Sequence, residues 1–308
     1  MVALLDADGN GQADAAPKVV ATGLLGLNGI TIRDSKVYLA MSTEVRTADL
    51  QEDGSLATPK ALMSGLPDPG QHPSWSVAFG PDEKLYLSVG SPCNDCVPLN
   101  EAYATILRAD ADGQNRVVFA RGLRNTIGFD WHPTTNELWG MDHGVDWRGD
   151  VQPPEELNRI AQGRHYGWPF CFGAKEVDGM SHFQPPDGRT RAAFCADTEP
   201  AALTYAAHAA PMAMRFYRSD QFPLEYKSDA FVTFHGSWNR EQPSGYNVVR
   251  LRFENGKPSK FEDFVTGFLS ADGKSVFGRP CGLVQTDSGE LLFTDDANGV
   301  IYQVAYTR

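Results

Sequence analysis

Residues 2–32, VALLDADGNGQADAAPKVVATGLLGLNGITI, are echoed by residues 105–129, TILRADADGQNRVVFARGLRNTIGF. Each segment gives an apolar strand, an Asp/Gly turn, a second apolar strand, a Gly-Leu pair, a short loop and a third, alternating strand. The third strand recurs at residues 29–32, 76–79, 127–130, 213–216 and 282–285. Each recurrence leads through a polar connection into a further apolar strand, at residues 37–40, 85–88, 138–141, 230–233 and 291–294. Outer strands end in Gly23-Leu24, Gly65-Leu66, Gly122-Leu123 and Gly267-Phe268. Four short strands repeated at about 50 residues predict an all-β fold, a β-propeller of four-stranded blades. The expected organisation is one propeller domain over residues 1–308.

The strand types number about four full blades between two partial ends. Residues 2–5 and 300–306 both fall at the third-strand position, so the first blade reads as incomplete. A long insertion, residues 161–207, sits in the outer part of one blade. Helical signal is nearly absent, apart from a weak stretch over residues 153–161.

Charge narrows the partners. A formal charge of −12 leaves no Lys/Arg surplus for nucleic-acid phosphates, and a small-molecule partner fits better. No run of about 18 apolar residues is present, so no membrane span is expected, and Met1 opens no visible signal peptide. Of five cysteines, Cys93 and Cys96 share a loop, Cys171 and Cys195 flank another, and Cys281 stands alone. The segment between Cys171 and Cys195 has little hydrophobic periodicity and would gain most from a staple, which favours disulfides and a periplasmic or secreted protein. A zinc site is disfavoured, because a single Cys-x-x-Cys has no second ligand pair.

Polar side chains concentrate at strand ends. His235, Gly236, Ser237, Trp238, Asn239 and Arg240 follow an apolar strand, where an imidazole, an indole, an amide and a guanidinium would each need a polar partner if buried. His72, Arg124 with Asn125, His208 and Arg279 all lie in loops leading into innermost strands, at one mouth of the central channel. His72 is expected as a general base, and Arg124 as a fork for an anionic ligand. The loop of residues 141–150 is either a solvated acidic loop or a calcium site using carbonyls and carboxylates. Asp6, Asp8, Asn10 and Asp14 resemble the start of a calcium loop, but Pro17 stands at its twelfth position and an Asp/Gly hairpin is the favoured reading.

Taken in order, His72 with Phe79-Gly80-Pro81-Asp82, Arg124-Asn125, Glu155-Glu156-Leu157-Asn158 running to His165-Tyr166-Gly167-Trp168-Pro169, His235 to Arg240, and Gly278-Arg279-Pro280 resemble the sorbosone dehydrogenase and soluble glucose dehydrogenase family. The resemblance implies a six-bladed propeller using pyrroloquinoline quinone (PQQ) and Ca2+ to oxidise an aldose or sugar aldehyde, with electrons passing to an external acceptor. It implies that His72 takes the hydroxyl proton and that Arg124 and Asn125 stand beside the quinone. His143, His208, His235, Trp238, Arg240 and Arg279 would contact the cofactor, and the carbonyls of Gly144 and Val145 would bind the calcium. Gln71 stands where the glucose enzymes carry an acid, which predicts a less basic His72. Two other classes stay open, a calcium-dependent lactonase-like hydrolase and a non-catalytic sugar-binding propeller.

Overall fold

The computed structural model describes residues 1–307. Five blade sheets form among them, each an antiparallel meander. Blade I comprises Gly29–Arg33, Lys36–Ala40, Val45–Asp49 and Lys60–Met63. Blade II comprises Val77–Phe79, Leu85–Val89, Thr105–Ala109 and Val117–Arg121. Blade III comprises Thr126–Trp131, Leu138–Asp142, Glu155–Ile160 and Leu203–Tyr205, and blade IV Pro211–Phe216, Ala230–Phe234, Asn247–Glu254 and Lys257–Val265. Blade V has three strands, Pro280–Gln285, Leu291–Asp295 and Val300–Val304.

The expected six blades are therefore corrected to five. Strands Val2–Ala3 and Lys18–Val19, expected as part of a further blade, pair only with each other. The Asp6 to Asp14 stretch lies between these two strands and makes the turn of that hairpin. The weak helical stretch is a second correction. Glu155–Ile160 is the third strand of blade III, and five of its six residues are buried, because both faces are covered. A real α-helix, Arg191–Ala196, lies inside the insertion, capped by Thr190, whose side chain accepts from Ala193 N.

Innermost strands approach one another closely where side chains are absent. A Cβ on Gly29 would lie 2.5 Å from Trp75 O, and one on Gly128 would lie 2.7 Å from the backbone of Ala213. Apolar clusters fill the gaps between successive blades. Trp75, Val77, Leu85 and Leu87 pack against Tyr38, Ala40 and Val45, and Met214, Phe216 and Val232 pack against Trp139, Met141 and Leu157. Each fully buried side chain of this size contributes roughly 1.5–3 kcal/mol. The Gly residues after four outer strands, Gly23, Gly65, Gly122 and Gly267, have φ of 71°, 65°, 71° and 100°, a turn that a side chain would strain. Both expected disulfides are present, Cys93–Cys96 and Cys171–Cys195, and Cys281 is free. No helix among the described residues is long and apolar enough to cross a membrane.

The insertion is joined to blade III by a buried acid. Glu156 accepts the backbone N–H of Gly173 at 2.5 Å and the amide of Asn158 at 3.2 Å. It pairs across the ladder with Asp142. Burial first, and the neighbouring Asp142 carboxylate next, push its pKa up to about 8. A raised carboxyl pKa means the folded state holds a proton that the unfolded chain releases above about 4.5, so stability falls as pH rises from there through about 8. Glu156→Gln keeps an acceptor for Gly173 without that proton. The variant should lose less stability than the parent between pH 5 and pH 8, by an amount on the order of a few kcal/mol, in urea unfolding at the two pH values.

Candidate functional site

Antiparallel pairing decides what meets at the channel mouth. The start of each innermost strand lies beside the end of the second strand of its blade, so the loop leading in and the loop leading out are neighbours. In blade II this sets His72 against Gly90 and Ser91, and in blade III it sets Arg124 and Asn125 against Asp142 and His143. In blade IV His235 N donates to Ala210 O, and in blade V Arg279 N donates to Asp295 Oδ1. The ladders of blades III, IV and V are irregular at this same end of the innermost strand, which re-aims the residues there.

His72 is held from both sides. The indole N–H of the fully buried Trp75 donates to His72 O at 3.1 Å. His72 Nδ1 lies 2.7 Å from Ser91 O and 2.9 Å from Ser91 Oγ, and that hydroxyl donates to Cys93 O. A carbonyl only accepts, so Nδ1 carries the proton and Nε2 presents a lone pair. Burial, then the Arg124 charge, lowers the pKa of His72 to about 4, so the ring is neutral at pH 7. Gly90 makes room for this arrangement. A Cβ there would lie 2.6 Å from His72 Cβ and 2.9 Å from Asn125 Oδ1.

Arg124 is buried, with a side-chain exposure of 4%. Its Nε donates to Asn94 O at 3.0 Å, and its Nη2 donates to Asn94 Oδ1 at 2.7 Å and Asp146 Oδ2 at 3.1 Å. Nη1 and the side-chain amide of Asn125 make no hydrogen bond among the described residues. The loop itself is fixed by Asp142, which accepts from Arg124 N, Asn125 N and Thr126 Oγ1 at 2.9, 2.8 and 2.7 Å. His143 Nδ1 sits 2.7 Å from Asn125 O and so keeps its proton there. Burial first, with the charges of Arg124, His72 and His235 adding, drives its pKa down to about 3. The carbonyls of Gly144 and Val145 accept no hydrogen bond among the described residues, while Gly144 N donates to Glu155 Oε2 at 2.9 Å. A Cβ on Gly144 would meet Pro153 at 2.9 Å.

Asp146 ties the blades together. Its Oδ1 accepts from Asn239 Nδ2 at 3.2 Å and lies 3.9 Å from His208 Nδ1, and its N–H donates to Asn94 Oδ1 at 2.8 Å. His208 gives its other nitrogen to Gly149 O at 2.8 Å. Arg279 is held loosely, with His235 Nδ1 and Tyr246 Oη at 3.3 Å and the carbonyls of Gly236 and Ser237 at 3.4 and 3.5 Å. His235 donates from Nε2 to Asp296 Oδ1 at 2.9 Å.

A family model described as TrAA12-like matches residues 28–307. The chain belongs to the TrAA12-like family. It is 35% identical over 230 residues to an uncharacterized protein of Borreliella burgdorferi, covering 74% of this chain and 58% of the relative. It is 27% identical over 216 residues to a pyrroloquinoline quinone-dependent sugar dehydrogenase of Hypocrea jecorina, covering 59% of this chain and 46% of that protein. The chain thus spans about half the length of these relatives. Its fold superposes with a TM-score of 0.78 on the holo form of the PQQ domain of pyranose dehydrogenase from Coprinopsis cinerea, at 21% identity, over 98% of this chain and 86% of that one.

Within this TrAA12-like propeller, His72, Arg124, Asn125 and His143 come together in one cluster, and His235 pairs with Arg279. His208 is buried and spends its ring on the loop of residues 146–149. Arg240 donates to the carbonyls of Gln242 at 2.8 Å and Ala207 at 3.0 Å. Trp238 stands exposed at the rim, edge-to-face with Trp147. The 141–150 loop is not merely solvated, since Asp142 is buried under the Arg124 loop. Sequence reading passed over Ser91, Asn94 and Asp296 as site residues, and took Asp146 only as part of the 141–150 loop. Their signal was positional: each lies within a few residues of the end of a second strand.

Asp146→Ala leaves a buried guanidinium short of its carboxylate, and should cost about 1–3 kcal/mol in chemical unfolding. Asp146→Asn retains an acceptor and should lose less.

Proposed function

We propose that this chain is a quinoprotein oxidoreductase that oxidises an aldose or sugar aldehyde, with His72 as the base. The observation that carries the reading is the pairing of an imidazole lone pair, on His72 Nε2, with the guanidinium of Arg124, whose Nη1 makes no hydrogen bond among the described residues. The donor set suits PQQ, a planar tricarboxylate. Arg124, Arg240 and Arg279 supply guanidinium forks in a protein whose total charge is negative, and Asn125, His143 and His235 supply polar contacts around them, while His208 faces the loop of residues 146–149 with both ring nitrogens. The free carbonyls of Gly144 and Val145 suit a hard cation such as Ca2+. PQQ, when bound, supplies a two-electron acceptor for hydride.

The chain's own residues govern the proton. Ser91 O fixes the tautomer of His72, leaving Nε2 to take the proton of a sugar hydroxyl. Burial first, and then the Arg124 charge, disfavours an imidazolium and keeps the base unprotonated at neutral pH. Arg124 also favours negative charge developing on oxygen at the reacting centre. Two disulfides support a periplasmic or secreted location, with an external acceptor for the electrons.

Purified protein should take up PQQ with Ca2+ at micromolar concentration and then reduce a dye in the presence of sugar. Failure to bind the quinone would overturn the reading. His72→Ala should retain quinone absorbance while losing turnover by roughly 100-fold or more. Because only the unprotonated imidazole accepts, kcat/KM of the parent should fall as pH drops through about 4, and this limb should vanish in the variant.

A further inference from the structure

Two indoles at the rim have no part in the base or the cation cluster. Trp147 and Trp238 are 65% and 63% exposed. They come from different blades, Trp147 from the loop after Leu138–Asp142 and Trp238 from the loop after Ala230–Phe234. Their rings meet edge-to-face, with centroids 4.9 Å apart and planes at 85°, so together they form a corner with a floor and a wall.

The corner is held from beneath. Asp146, just before Trp147, accepts from Asn239 Nδ2, just after Trp238, at 3.2 Å. Asp150 Oδ2 accepts from Glu241 N at 3.0 Å, and His208 Nε2 donates to Gly149 O at 2.8 Å. Three hydrogen bonds therefore join the two blades under the aromatic pair. Folding leaves these large apolar rings in water while fixing the loops that carry them, which is the behaviour of a binding surface. Asp146 is also the carboxylate that receives Arg124, so the corner adjoins the reaction centre through one side chain.

We propose that Trp147 and Trp238 form a subsite for a second sugar ring, so that the substrate class is an oligosaccharide or glycoside rather than a monosaccharide alone. This rests on the dehydrogenase reading for the class of ligand, and on the rim geometry for its size. A pyranose has an apolar C–H face that lies flat on an indole and hydroxyls around its edge that need polar partners. The loops that carry the corner supply such a partner in the Asp150 carboxylate, whose Oδ2 accepts from Glu241 N while its Oδ1 accepts nothing among the described residues. A protein partner would call for an apolar centre with charges kept away from it, the reverse of this arrangement.

The test uses the intact chain without added cofactor and glucose oligomers of one to four units, in both α-1,4 and β-1,4 linkage, by calorimetry. Affinity should rise about 10-fold between one unit and two or three in one of the linkages. Trp147→Ala and Trp238→Ala should remove that rise, while Trp238→Phe should keep part of it. Affinity that does not depend on length in either linkage, or that is unchanged in both alanine variants, overturns the subsite. PQQ uptake by the parent and by Trp147→Ala, followed separately by quinone absorbance, keeps the two readings apart. Length-dependent sugar binding without PQQ uptake would support the subsite and sink the dehydrogenase, and the opposite pattern would do the reverse.

Discussion

The buried guanidinium of Arg124 is the constraint around which the mouth of this propeller is arranged. A charge withdrawn from water in this way must be met by oriented acceptors, or it would unfold the loop that carries it. Asn94 and Asp146 meet it on one side, and the loop backbone is secured by Asp142 on the other. The acceptors come from blades II and III, and Asp146 passes the connection on to Asn239 in blade IV. One cation thus sets the relative position of three blades at the end where ligands would bind. It also conditions its neighbours, since its field disfavours protonation of both His72 and His143.

The same site shows how neutral and charged groups are kept distinct in a small volume. His72 and His143 each give Nδ1 to a backbone carbonyl, which fixes the tautomer without adding a charge. His235 instead donates from Nε2 to a carboxylate, Asp296, and accepts at Nδ1 from Arg279. Two imidazoles therefore present a lone pair on Nε2, and the third bridges a guanidinium and a carboxylate. Burial first, and then the Arg124 charge, lowers the pKa of His72, while its bond to the Ser91 carbonyl works in the opposite direction.

The propeller was legible because its strands carry the period of their own packing. Apolar alternation marked the innermost and second strands of all five blades, and the Gly that ends an outer strand was visible because only that residue turns freely with positive φ. Blade number was not legible, since it depends on which sheets residues 2–19 join, a question of long-range pairing. The strand Glu155–Ile160 was misread because two adjacent carboxylates in a buried strand contradict strand propensity; burial and the ladder to Asp142 override it. In the site, His72, Arg124, His208 and Arg279 stood out by their place before innermost strands. Ser91 and Asn94 did not, because they are ordinary loop residues until the antiparallel ladder sets them opposite those four, and Asp146 was visible only as one carboxylate of the 141–150 loop.

The bond between Cys93 and Cys96 closes a ring of four residues that contains Asn94. Asn94 supplies both the carbonyl and the amide oxygen that receive Arg124. Closing so short a ring removes most of the alternatives open to its backbone, so the two acceptors are set before any ligand arrives. In a compartment that reduces thiols, the same four residues would be free to wander, and the cation would lose the template that aims it. Oxidation of one short loop beside the Arg124 cluster thus does for this arginine what a second carboxylate would do, by geometry instead of by charge.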